Sequence, residues 1–129
     1  MIISRLKEAS RARRQILDLH EREREVLDAL ISCRSIVKGS VYELKTRCGK
    51  PACCCARGER HGAMVLSWSE QGRTKLMTVQ RDDLDRLIKL TEEYKTFRKA
   101  RARLVKLHKE LLKAVDSLEA TIREAPART

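Results

Sequence analysis

Four of the chain's five cysteines and one of its three histidines fall within Cys48-Gly49-Lys50-Pro51-Ala52-Cys53-Cys54-Cys55-Ala56-Arg57-Gly58-Glu59-Arg60-His61-Gly62. Thiolate and neutral imidazole are good zinc ligands, and four of them close a tetrahedral shell. Cys48, Cys53, Cys55 and His61 are therefore the expected ligands of a Cys3His zinc site. The spacing, Cys-x4-Cys-x-Cys-x5-His, departs from the paired Cys-x2-Cys knuckles of ordinary zinc ribbons. Cys54 is left out because, in an extended strand, its side chain points to the face opposite its two neighbours. Two other readings stay open. One is a redox or disulfide cluster, opposed by the strain of bridging adjacent cysteines and by the odd count with Cys33 isolated. The other is a tight basic turn whose cysteines simply pack.

Lys45, Arg47, Lys50, Arg57, Arg60, Arg73 and Lys75 crowd this segment in sequence, and the whole chain carries a net charge of +11. Such a field draws in polyanions. Arg forks match phosphate oxygens, backbone N–H groups of a glycine-bearing turn add donors, and Trp68 offers a face on which an unpaired base could stack. With aromatics at only 3% of the chain, Trp68 is also the natural packing anchor of a small sheet. Helical segments add Arg11, Arg13 and Arg14, then Arg98, Lys99, Arg101, Arg103, Lys106 and Lys109. Glu21-Arg22-Glu23-Arg24-Glu25 is instead a solvated, internally balanced run.

Three elements must position these residues. From about Ile2 to Cys33 there is no Gly or Pro, and Arg, Glu, Leu and Ala dominate, which predicts one long helix. Its seam is expected at Ile2, Leu6, Ala9, Arg13, Ile16, His20, Glu23, Leu27 and Leu30, with polar breaks at Arg13, His20 and Glu23. Lys38-Gly39-Ser40 breaks the helix, and Val41 to Lys45 reads as a strand. Ala63–Trp68 and Arg73–Val79 read as a β-hairpin turning through Ser69-Glu70-Gln71-Gly72. A second helix, capped by Thr78 with Asp82 and Asp83 in its first turn, runs to about Glu124, ahead of Pro126. Its seam is expected at Leu90, Tyr94, Phe97, Arg101, Leu104, His108, Leu111, Val115, Leu118 and Ile122.

The expected fold is mainly α with a small β element: two long helices in an antiparallel coiled-coil-like hairpin, with a zinc-knuckle and β-hairpin tip. The segments are residues 1–37 for the first helix, 38–80 for the cysteine-rich module, 81–124 for the second helix and 125–129 for a tail. If the helices meet in register near Val37 and Leu84, Glu23 lies opposite Arg101 and His20 near Leu104. The apolar width of both helices points to a homodimer.

Gly39-Ser40-Val41-Tyr42-Glu43, Arg47 through Cys55, His61-Gly62 and Leu66-Ser67-Trp68 together resemble a family of small uncharacterised bacterial and archaeal proteins. Their signature is a Cys-Gly-Lys-Pro-x-Cys-x-Cys turn ending in His-Gly, followed by a strand and a long helix. Where that family often has Pro and an aromatic after His-Gly, this chain has Ala63-Met64. The resemblance covers the middle third, supports the ligand set and implies no activity.

A closed metal shell leaves no open position for an activated water, and no nucleophile stands beside an obvious base, so the chain does not read as an enzyme. Thiol redox chemistry at Cys53, Cys54 and Cys55 is the alternative catalytic reading. Charge precedes any apolar run of signal-peptide length, no segment is long and apolar enough to span a bilayer, and the unpaired cysteine count suits a reducing cytoplasm. The expected function is a nucleic-acid-binding accessory or regulatory protein, with DNA favoured over RNA. The rival is a coiled-coil adaptor docking a larger nucleic-acid-processing enzyme such as a recombinase.

Overall fold

The computed structural model describes residues 2–46 and 61–127. Among these the protein is mostly helical, with a small three-stranded antiparallel sheet. Helix α1 spans Ile2–Ile31, strands β1, β2 and β3 span Ser40–Thr46, His61–Glu70 and Arg73–Thr78, and helix α2 spans Leu84–Ile122. The chain divides into two compact units. One comprises Met1–Cys33 with Phe97–Thr129, the other Arg34–Thr96, so the first turns of α2 belong with the sheet.

In the helical unit, α1 and the later part of α2 are long because neither contains Gly or Pro. α1 ends at Ile31, where the Ser32 hydroxyl and amide both donate to the Asp28 carbonyl, at 2.5 and 3.1 Å. A serine that bonds its own preceding turn competes with helix continuation. The residues that follow, 33–38, carry no regular structure, so the helix stops short of the residue 37 boundary expected from sequence.

Contacts between the two helices run in opposite senses along them. The Arg5 guanidinium donates to the Thr121 carbonyl at 2.9 Å, and Glu23 meets His108. Glu23 thus pairs with His108 rather than Arg101, seven residues further along α2 than the sequence register placed it. The core consists of Leu19, Val26, Leu107 and Ala114, with Ile16, Leu30, Ala100, Leu104 and Leu111 packed around it, and Ala9 and Ala12 are also buried.

These residues rotate both expected seams. On α1 the buried or half-buried positions are 9, 12, 16, 19, 23, 26 and 30; on the part of α2 in this unit they are 97, 100, 104, 107, 110, 111, 114, 118 and 121. The four-three alternation survives, but Ala12, Leu19 and Val26 replace Arg13, His20 and Leu27, and Leu107 and Ala114 replace His108 and Val115. Alanine explains the choice. A small side chain at the contact lets two helix backbones approach closely, so their ridges and grooves interlock. Four of the expected polar breaks, Arg13, His20, Arg101 and His108, are consequently exposed and interrupt nothing. Glu23 keeps a half-buried carboxylate in the seam.

In the sheet unit, β1 pairs with β2 from Ser40↔Ser67 to Thr46↔His61, and β2 with β3 from Val65↔Thr78 to Glu70↔Arg73. The hairpin between β2 and β3 turns on only Gln71 (φ 51°) and Gly72 (φ 77°). Positive φ at both central residues gives the turn whose twist matches that of paired strands, so Ser69 and Glu70 remain in the ladder. Leu66, Val79 and Leu87 form the core, packed by Val37, Val41, Met64, Trp68 and Leu84. The Val37 amide donates to the Leu90 carbonyl at 3.1 Å and the Val79 amide to the Met64 carbonyl at 2.8 Å.

Thr78 closes β3 and does not cap α2. A 3-10 turn at Arg81–Asp83 precedes the helix instead, after Gln80, whose side chain makes no capping bond. Asp82, Asp83 and Asp85 lie in these first turns, where carboxylates interact favourably with the helix dipole. Thr91, 2% exposed, satisfies its hydroxyl on the Leu87 and Ile88 carbonyls. Among the described residues no buried side-chain polar atom lacks a partner.

Candidate metal centre and basic surface

The cysteine-bearing segment connects β1 to β2. Cys48, Cys53, Cys55, Arg47, Lys50, Arg57 and Arg60 lie outside the described residues, and so does Cys54. His61 is the first residue of β2 and the register partner of Thr46, the last residue of β1. Directly opposed residues of an antiparallel pair have Cα atoms about 4.5–5.5 Å apart. The ladder therefore brings the two ends of the connection together, with a candidate ligand at one of them. Among the described residues no group of three or more His, Cys, Asp or Glu side chains could hold a metal ion, and Cys33 is a free, half-buried thiol.

Three of the basic residues singled out in the sequence lie among the described residues. Lys45, exposed, pairs with Gly62 and so stands one ladder step from the Thr46↔His61 closure. Arg73 and Lys75, also exposed, pair with Glu70 and Trp68. Along β2 from Gly62 to Trp68 the strand rises about 20 Å. The sheet thus does not bring Arg73 and Lys75 to the cysteine end, although the period-two alternation places them on the same face as Lys45. That face packs Val41, Met64, Leu66 and Trp68 into the core, with the cations at its margins. Trp68 is half-buried in this cluster, and its indole N–H donates to Glu70 Oε2 at 3.3 Å. Its placement is that of a packing anchor.

In the helical unit, His108 Nδ1 and Glu23 Oε1 are 3.1 Å apart. The His108 side chain is 60% exposed and that of Glu23 only 12%. A groove beside this pair is lined by Leu27 of α1 and by Leu104, Val105 and Lys109 of α2. Sequence reasoning placed Arg101, His108 and Val115 in the intrachain seam. Their four-three spacing was the signal for an apolar stripe, and the structure places that stripe on an open face.

The structure is that of a two-helix protein carrying a small antiparallel sheet whose β1–β2 connection holds a cysteine cluster. The chain belongs to the family described as Domain of unknown function (DUF6788), whose model matches residues 6–89. That match covers α1 from Leu6 onward, the sheet and the cysteine connection, and ends within the first turns of α2. No curated protein and no solved structure matches the chain. No described helix is long and apolar enough to cross a membrane.

Proposed function

We propose that this protein is a nucleic-acid-binding accessory or regulatory protein, with DNA favoured, that grips phosphates through a basic zinc knuckle. Cys48, Cys53, Cys55 and His61 hold the zinc, and Lys45, Arg47, Lys50, Arg57 and Arg60 surround it. The two long helices form an antiparallel coiled-coil-like hairpin that serves as spacer and as the surface for self-association.

The observation that carries this reading is the closure of the β1–β2 ladder at Thr46↔His61. Cys48 is only two residues beyond Thr46, and two residues of chain span at most about 7 Å. It therefore starts within reach of His61 whatever path the chain takes between them. Three thiolates and an imidazole are a zinc donor set, and the ion would tie the basic connection into one shape so that its cations meet phosphate together. Arg73 and Lys75 add charge at the opposite end of the sheet and extend the field rather than the grip.

The test uses reduced full-length protein freed of nucleic acid. Metal analysis is expected to find one zinc per chain, lost when Cys48, Cys53 and Cys55 are replaced by serine. Binding to duplex DNA, single-stranded DNA and RNA is then titrated against salt. Each phosphate the protein neutralises should add close to one unit of slope to a log–log plot of affinity against salt. Lys50→Glu with Arg57→Glu should weaken binding at least about 10-fold and flatten the slope. Protein free of zinc, or binding indifferent to salt, overturns the reading.

A further inference from the structure

We propose that α2 pairs antiparallel with α2 of a second copy of this chain, across the stripe Arg101, Val105, His108, Leu112, Val115 and Glu119. This rests on the self-association in the reading above and specifies its surface, direction and register.

The stripe is open in the folded chain. Val105, Leu112 and Val115 are 40%, 50% and 42% exposed, whereas the intrachain seam beside it is closed by Leu107 and Ala114 at 5% and 3%. Its steps of four and three residues make it a coiled-coil seam in its own right.

The occupant follows from the order of residues along the stripe. A twofold interface is self-complementary: if residue i meets j, then j meets i. Turned about an axis at Glu110, the stripe sets Arg101 against the second copy's Glu119, Val105 against its Val115, and His108 against its Leu112. Cation meets anion and β-branched side chain meets β-branched side chain, in the alternating layers an antiparallel pair requires. Neither Arg101 nor Glu119 has an ion pair within the chain among the described residues. A parallel pairing would instead stack Arg101 on Arg101 and Glu119 on Glu119.

The experiment is sedimentation equilibrium of the reduced full-length chain over a range of concentrations. The wild-type protein is expected to dimerise. Arg101→Glu alone and Glu119→Arg alone each convert both cross-chain pairs to like charges, and each should raise the dimer dissociation constant at least about 10-fold. The double variant restores opposite charges and should return to within about 3-fold of wild type. Leu112→Glu should leave a monomer. All three positions are exposed, and an unchanged helical circular dichroism signal checks that each variant is folded. A chain that stays monomeric up to about 100 μM overturns both the pairing and the self-association. A dimer indifferent to the single changes, or not rescued by the double, overturns the α2 pairing and leaves another dimer surface in its place. Zinc content and salt-dependent nucleic-acid binding, measured on the same variants, report on the knuckle independently of either result.

Discussion

Leu107 and Leu112 stand about 1.4 turns apart on α2, and the observed seam assigns them opposite roles. Leu107 is 5% exposed against Leu19, Val26 and Ala114, while Leu112 is 50% exposed. Truncating either to alanine removes the same atoms. At about 0.8 kcal/mol per buried carbon, Leu107→Ala loses roughly 2 kcal/mol of transfer energy, and the cavity brings the total to about 3 kcal/mol. Leu112→Ala opens no cavity and gives up only about half the transfer term, roughly 1 kcal/mol in the dissociated chain. The two differ again in their dependence on protein concentration. The cost at Leu107 should be constant, whereas the cost at Leu112 should grow as dimer forms, because mass action adds the weakened interface to the reduced burial. Urea unfolding followed by helical circular dichroism, repeated at several protein concentrations, separates the two. If Leu112→Ala costs as much as Leu107→Ala in the most dilute samples, the seam assignment is wrong.

Two further changes probe the fold. Glu23→Leu should stabilise the helical unit of the dissociated chain, read in dilute samples, by about 1 kcal/mol: the carboxylate is 12% exposed in an apolar seam, and its partner His108, 60% exposed in the single chain, stays solvated there when left alone. A lower urea midpoint for this variant would show that the pair contributes more than it costs to bury. Gly39→Ala should cost about 1–3 kcal/mol, because φ is +138° and the added Cβ would meet the Ser67 carbonyl oxygen at 2.6 Å and Leu66 Cδ1 at 2.9 Å. An unchanged melting temperature would refute that close approach.

The long helices were legible because their residues lack Gly and Pro and favour helix, and β2 with β3 because Gln71-Gly72 interrupts two strand-forming runs. Helix starts and stops were less so. Thr78 looks like a cap, yet β2 claims it for the ladder through Val65↔Thr78, since strand pairing satisfies its backbone more completely than a cap would. The metal reading came wholly from residue type and spacing. The structure contributes the Thr46↔His61 closure, which no local pattern could supply because register is a relation between two strands.

By itself, the sequence determined which segments become helix and strand, where the cysteines cluster along the chain, and that α2 carries apolar residues over a wide arc. Those properties depend on near neighbours and on side-chain chemistry alone. Only the tertiary structure decided which part of that arc faces α1. Leu104, Leu111 and Leu118 belong equally to a stripe completed by Leu107 and Ala114 and to one completed by His108 and Val115. Hydropathy favours valine over alanine at a core position, but two helix backbones in contact favour the smaller side chain, so Ala114 is 3% exposed and Val115 is 42% exposed. Likewise, Lys45, Arg73 and Lys75 are similar residues in one sequence neighbourhood. Strand pairing, which fixes position along the ladder by hydrogen bonds rather than by charge, sets the first at the cysteine end of the sheet and the other two at the far end.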